Sequence, residues 1–180
     1  MTGPSPANNA EVADGRSGLL AAVRAAAEAV PDPELPMLTV GDLGIVRGVE
    51  MVGDEAVVTL TPTYSGCPAT EVIRDDVTDA VRTLGVPVRV RTSLAPAWST
   101  DWITPAGRRK LTAAGIAPPA AAPASGGPVP LTIGRRPAAP ACPHCGSAAT
   151  TELARFGSTP CQSLWRCTAC AEPFSHVKAL

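Results

Sequence analysis

The chain opens on small and polar residues, and a regular apolar period begins only near Ser17. Beyond it Leu19, Leu20, Val23, Ala26, Ala27 and Val30 recur at helical spacing, which predicts a helix from Ser17, its N-cap, to about residue 29. Pro31 and Pro33 end it. Residues 1–16, rich in Pro, Asn, Gly and Ala, read as a disordered tail. Valine-rich residues 46–52 and 56–61, joined by a Gly53-Asp54 turn, predict a β-hairpin. A second helix is expected over residues 69–84, with Val72, Ile73, Val77, Ala80, Val81 and Leu84 inward and Gly85 closing it. Val86, Val88 and Val90 alternate with Pro87, Arg89 and Arg91, the pattern of a strand with one buried face. A last helix begins at Thr104, with Pro105 at its first position and Gly115 as its stop. The order α-β-β-α-β predicts a small two-layer α+β domain over residues 17–116, its β-α-β portion crossing over right-handedly.

Past residue 116 the pattern collapses. Residues 117–141 contain seven prolines and no periodicity outside 129–133, which predicts a linker, semi-rigid where prolines are dense. Residues 142–180 hold five of the six cysteines and are expected to form a separate zinc-ribbon-like unit.

Composition supports two modest units over one core. The chain has 16 glycines and 20 prolines, and 31 of its nominally hydrophobic residues are alanine. Two Phe, three Trp and one Tyr would fill a 180-residue core poorly, because large side chains dominate burial energy. The second unit therefore needs something besides hydrophobic burial to fold. Residues 1–116 carry 10 basic and 14 acidic groups, and residues 117–180 carry 5 and 2. Neither part has the basic excess of a strong nucleic-acid binder. No apolar run reaches the roughly 18 residues of a membrane span. Even residues 19–30 are interrupted by Arg24 and Glu28, and no signal-peptide pattern precedes them, so a cytoplasmic protein is expected.

Cys142-Pro-His-Cys145-Gly and Cys167-Thr-Ala-Cys170 are two C-x-x-C pairs separated by 21 residues. Each pair on a tight turn aims two sulfurs at one point, and two such turns complete a tetrahedral four-thiolate site. Structural zinc at Cys142, Cys145, Cys167 and Cys170 is the expected cofactor. Thiolates also suit iron, and disulfides are the remaining alternative in a chain whose compartment keeps thiols reduced. A structural zinc contributes roughly 10 kcal/mol or more to such a unit. With all four positions filled by protein, catalysis at the metal is not expected. Cys161 is an additional thiol: an alternative ligand, a reactive group or a buried small residue. His144 and His176 are secondary ligand candidates.

Cys67 stands apart, in Pro-Thr-Tyr-Ser-Gly-Cys-Pro-Ala-Thr-Glu ending at Glu71. Pro68 in the first turn of the second helix would place Cys67 at its N-cap, where amides and dipole favour a thiolate. That sulfur would serve as a metal or cluster ligand or a nucleophile; a packing cysteine is the equal alternative. No base for a hydrolytic cysteine accompanies it, since both histidines lie in the other unit. Asp32 and Asp42 read as turn or capping residues in Asp32-Pro-Glu34 and Gly41-Asp-Leu-Gly44, with Gly44 permitting positive φ.

Together, Asp32-Pro-Glu-Leu-Pro, Val40-Gly-Asp-Leu-Gly-Ile45 and Thr61-Pro-Thr-Tyr-Ser-Gly-Cys-Pro68 resemble the SufT-like family of iron–sulfur cluster assembly proteins. That resemblance implies an α+β fold and a role in delivering clusters to client proteins. It makes Cys67 the reactive cysteine, a transient iron or iron–sulfur cluster ligand, with Asp32, Glu34 and Asp42 in the supporting loops. Residues 94–108, 111–118 and 155–174 narrow it further. They resemble the family of D subunits (older name J) of the bacterial phenylacetyl-CoA epoxidase, also called phenylacetate-CoA oxygenase. Thr159-Pro160 before Cys161 is the one departure from that pattern. The resemblance covers residues 17–180 apart from the linker. It implies a non-catalytic accessory subunit of aerobic phenylacetate degradation, with the oxygenase or reductase subunits of the complex as partners. The chain has neither the Glu-x-x-His helices of a di-iron oxygenase nor a dinucleotide fingerprint.

Two other readings stand beside the maturation factor: a purely structural scaffold of the complex, and a nucleic-acid-binding zinc ribbon. Arg135, Arg136, Arg155, Arg166 and Lys178 are too few and scattered to track phosphates, which argues against the last. No membrane or nucleic-acid partner is expected, and a homodimer stays open. Trp98 and Trp102 are partner-contact candidates whose alternative is packing of the last helix. Arg108, Arg109 and Lys110 read as a solvated helix face.

Overall fold

Residues 6–64, 66, 69–120 and 139–179 are described in a computed structural model, with side chains from Gly15 onward. The chain divides into two units, Met1–Ala97 and Trp98–Leu180.

In the first unit, α1 (Pro6–Glu28) is followed by β1 (Val46–Val52), β2 (Glu55–Leu60), α2 (Ala69–Arg82) and β3 (Val88–Thr92). Gly53, at φ 62°, closes the β1–β2 hairpin. β2 is central, antiparallel to β1 and parallel to β3, which the intervening α2 makes possible. Its central position buries both faces: Ala56, Val58 and Leu60 on one, Val57 and Thr59 on the other. Val23 and Ala27 of α1 and Ile73, Val77 and Val81 of α2 complete the core with Leu35, Leu38, Val40, Leu43 and Ile45 from the α1–β1 connection. Each buried Val, Leu or Ile contributes about 1.5–3 kcal/mol.

The alternation expected in β3 is present. Arg91 donates from Nε to Thr59 Oγ1 at 2.8 Å and pairs with Glu50 at 3.0 Å, while Arg89 pairs with Glu55 at 3.0 Å. Exposed pairs of this kind contribute at most about 1 kcal/mol each. Their aliphatic stems serve more to cover β2.

Two local expectations change. Helix α1 starts at Pro6 rather than Ser17, so residues 6–16 of the expected tail are helical backbone. Proline is at home in a first turn, and the alanine-containing run after it lacks an internal proline. The buried face of α2 is the single line Ala69, Ile73, Val77, Val81, leaving Val72 and Leu84 exposed. α2 packs against β3 and α1, and Val72 lies off the line that meets them while Leu84 falls beyond the helix end at Arg82.

The second unit contains a 3-10 turn (Thr100–Trp102), α3 (Pro105–Ala113), β4 (Ile116–Ala117), β5 (Thr150–Ala154), β6 (Gln162–Cys167) and β7 (Pro173–Val177). The strand order is β4-β7-β6-β5, antiparallel except for β4 against β7. Thr104 caps α3 by accepting from the Gly107 N–H at 3.0 Å, and Gly115 at φ 74° ends it, both as expected.

The division at Ala97/Trp98 differs from the expected boundary after residue 116. Two features tie residues 98–120 to the ribbon unit, and a third braces the segment internally. β4 extends its sheet. A Cβ on Gly115 would lie 3.0 Å from His144 Cε1, so the helix stop packs on the first cysteine turn. Arg108 donates to Pro119 O at 2.6 Å and Thr100 O at 2.7 Å. Arg108 is therefore an internal brace rather than part of a solvated face, while Arg109 and Lys110 are exposed. Trp98 is buried and Trp102 half-buried, the packing alternative for this pair. Within the expected linker, Ala117 belongs to β4, and residues 121–138 lie outside the described residues.

Candidate metal centre and the loops of the first unit

Two turns of the same design bring the four cysteines together. In the first, Gly146 N–H donates to Cys142 O at 2.8 Å and Cys142 N–H to Ser147 O at 2.9 Å. In the second, Cys167 N–H donates to Glu172 O at 2.9 Å. The residue after each second cysteine lies in the left-handed region, Gly146 at φ 74° and Ala171 at φ 64°. That conformation costs a non-glycine residue about 1–2 kcal/mol. Cys142 and Cys167 are buried beside Ala117, Phe174 and Trp165; Cys145 and Cys170 are exposed.

All four sulfurs lie within 4.8 Å of one another. Cys142 and Cys170 Sγ are 3.8 Å apart, and Cys145 and Cys167 Sγ 3.6 Å, with no disulfide among them. Four thiolates about 2.3 Å from one tetrahedral ion have sulfurs about 3.8 Å apart, so the donor set fits a single metal. The electrostatics agree. The Cys170 N–H, directed at Cys167 Sγ from 3.5 Å, is the main cause holding the Cys167 thiol down to about 6. Backbone N–H groups of Ser147 and Glu172 favour the thiolates of Cys145 and Cys170. They are outweighed at Cys145 chiefly by the neighbouring Cys167 thiol, which raises it, and at Cys170 by desolvation and then the neighbouring thiols, which push it up to about 12. Without a cation the four cannot all ionise; a divalent ion removes that conflict.

His144 and His176 are not in the cluster, and neither is Cys161, whose Sγ lies 3.0 Å from Thr159 Oγ1. Cys67 lies outside the described residues; α2 begins two positions after it in sequence.

The loop residues of the first unit are turn builders. Buried Asp32 accepts through Oδ1 from the Glu34 N–H at 2.9 Å and the Leu35 N–H at 2.7 Å. Burial raises its pKa against those two bonds. Asp42 and Thr39 cap reciprocally: Asp42 Oδ2 accepts from the Thr39 N–H at 3.0 Å, and Thr39 Oγ1 from the Asp42 N–H at 3.1 Å. Gly44 adopts φ 67°, as expected. Gly41, read only as part of the motif, makes the tightest approach: its N–H donates to Glu28 O at 3.1 Å. Only the absence of a side chain allows it.

Residues 20–92 match the family described as iron-sulfur cluster assembly protein, and residues 127–178 that described as PaaD zinc beta ribbon domain. An Escherichia coli K12 protein named as the D subunit of 1,2-phenylacetyl-CoA epoxidase is 45% identical over 152 residues, which cover 84% of this chain and 87% of the relative. The chain belongs to this family of epoxidase D subunits. A crystal structure of a domain of unknown function, DUF59, from Bacillus anthracis is 29% identical with a TM-score of 0.51, covering 55% of this chain and 96% of that one. The fold class and the family resemblance read from the sequence are thereby both confirmed. The chain thus joins a mixed α/β assembly-type unit to a zinc ribbon carrying a four-cysteine metal-binding group. Among the described residues no helix is long and apolar enough to cross a membrane.

The motif reading missed three structural roles. Ala171 occupies the position that Gly146 fills in the first turn, so its conformation was legible from aligning the two C-x-x-C segments. The close approach at Gly41 and the brace made by Arg108 carried no local signal.

Proposed function

We propose that this chain is a non-catalytic, cytoplasmic accessory component of a phenylacetyl-CoA epoxidase complex, assisting maturation of iron or iron–sulfur centres in its oxygenase or reductase subunits. The observation that carries the reading is the joining, in one chain, of an iron–sulfur assembly domain to a four-thiolate ribbon. The 45% identity to an epoxidase component supports the choice of complex. In this reading Cys142, Cys145, Cys167 and Cys170 hold a resident zinc that fixes the ribbon. Iron or cluster is cargo, taken transiently by Cys67. Asp32, Glu34 and Asp42 act by shaping the loops of the first unit, as their backbone hydrogen bonds support.

The test is anaerobic purification of wild type and Cys67→Ser side by side, with zinc, iron and acid-labile sulfide measured, and epoxidase iron content assayed in cells. The reading expects zinc in both proteins, iron or sulfide only with Cys67, and iron-poor epoxidase in cells carrying the variant. Zinc alone in both, with epoxidase iron unchanged, would reduce the chain to a scaffold.

A further inference from the structure

One face of the second sheet gathers chemistry that the metal centre does not use. Ser163 faces His176 across β6 and β7, and Trp165 faces Glu152 across β6 and β5. Trp165 Nε1 donates to buried Ser163 Oγ at 2.9 Å. The serine hydroxyl can then donate to His176 Nδ1 at 3.3 Å or to the His176 carbonyl at 3.5 Å. Trp165 and His176 meet edge to face, ring centroids 6.1 Å apart.

These groups floor a recess of about 1050 Å³, walled by prolines and alanines and lipped by Arg155, Phe156 and Lys178. Lys178 Nζ donates to Arg155 O at 3.0 Å and lies 4.2 Å over the Phe156 ring, which is 69% exposed. Beside the recess runs β5, an outer strand of the sheet among the described residues, with Leu153 also exposed. The charge is one-sided: residues 98–180 contain eight Lys and Arg against three Asp and Glu. Four thiolates around a divalent ion would add a net charge of about −2 and leave the unit basic.

The volume stands at the upper end of small-molecule sites, roughly 300–1,000 Å³, and a recess beside an outer strand suits an extended chain. We infer that it docks an acidic extended segment of a partner protein bearing an aromatic side chain. The ring rests on Trp165 and His176, flanking carboxylates meet Arg155 and Lys178, and the segment's main chain follows β5. The inference holds whether or not the chain handles iron.

The probe is a random peptide library, panned against the zinc-loaded full chain, with enriched peptides measured by fluorescence anisotropy. Enrichment of sequences combining Asp or Glu with Phe, Tyr or Trp is expected. Their affinity should fall about tenfold or more in the Arg155→Glu, Lys178→Glu double variant and with added salt. The variant's zinc content and melting temperature, unchanged, would show that its fold is intact. Arg155→Lys should retain binding. No enrichment, a basic consensus, or binding indifferent to charge reversal would overturn the inference. So would enrichment of peptides resembling residues 121–138, which would make the chain itself the occupant.

Discussion

Gly41 offers a sharp test of how the first unit is built, because the reason for the glycine can be read as distances. A Cβ there would sit 2.7 Å from Glu28 Cβ, 2.8 Å from Glu28 O and 3.2 Å from Glu28 Cα. Two of these atoms are helix backbone, so the loop must move, and the Gly41 N–H to Glu28 O bond of 3.1 Å goes with it. Overpacking of this kind costs about 1–3 kcal/mol and the hydrogen bond about 1 kcal/mol. Gly41→Ala should therefore destabilise the first unit by about 2–4 kcal/mol. For a unit this size each kcal/mol moves the melting temperature by about 4–8 °C, so a fall of about 10 °C or more is expected. Gly48 is the control. Its added Cβ would meet Thr59 Oγ1 and Cβ at 3.5 and 3.6 Å, ordinary contact, so Gly48→Ala should stay within about 1 kcal/mol of wild type. The assay is far-UV circular dichroism melting of zinc-saturated protein, with α1 and α2 reporting on the first unit. Gly41→Ala melting within about two degrees of wild type, or Gly48→Ala failing as badly, would refute the reasoning.

Four further outcomes are expected. Ala171→Gly should relieve the left-handed conformation, stabilising the ribbon by about 1 kcal/mol and slowing zinc loss to a chelator. Chelating the metal should unfold the second unit, read as a change in Trp165 fluorescence in a Trp98→Phe, Trp102→Phe background, while the helices of the first unit keep their signal. Asp32→Asn keeps the acceptor of its turn and should be neutral or stabilising at pH 7, whereas Asp32→Ala should cost about 1–3 kcal/mol. Because burial raises Asp32 above its ordinary 3.8, its ionisation costs stability as pH rises through that window. In denaturant melts, the advantage of Asn should appear above the window and vanish below it. Arg108→Ala should free the carbonyls of Thr100 and Pro119 and lower ribbon-unit stability by about 1–3 kcal/mol in the same melts, while Arg109→Ala should be silent.

Local chemistry was legible in the sequence and long-range packing was not. The hairpin across Gly53, the Thr104-Pro105 helix start and the two cysteine turns each rest on residues a few positions apart, and each is present. The unit boundary depended on contacts with no short-range signature. Gly115 looks like any helix stop, yet its missing side chain is what lets His144 approach; Arg108 looks like any exposed helical arginine, yet it closes on two carbonyls. The period of α2 was visible, but the width of its buried face depended on the elements packed against it. For the candidate site, residue types fixed the ligand set. The mutual distances that make it one centre, and the exclusion of Cys161 and both histidines, needed the fold.

Those distances also separate two kinds of metal chemistry within the chain. Four sulfurs within 4.8 Å of one another would fill every position on one tetrahedral ion with protein, two of them from buried residues. A metal so held is retained, because releasing it leaves four crowded sulfurs, two of them buried, with no cation to balance their charge. A carrier needs the reverse: few ligands, at an accessible place, that let go. The ribbon is thus suited to holding its ion, and any iron or cluster in transit belongs with the first unit, where the proposed role of Cys67 puts it. Charge favours the same partition. Residues 1–97 carry 13 acidic and 7 basic groups and residues 98–180 the opposite balance, so the two units present opposite fields to a partner. If the basic ribbon unit docks an acidic segment of a client, docking and iron handling rest on different residues and can be disabled separately. Disabling Arg155 and Lys178 should then lower client loading without changing the iron bound per chain, whereas Cys67→Ser should abolish that iron while leaving docking intact. A variant of one class that produced the other's phenotype would show that the two units do not divide the work this way.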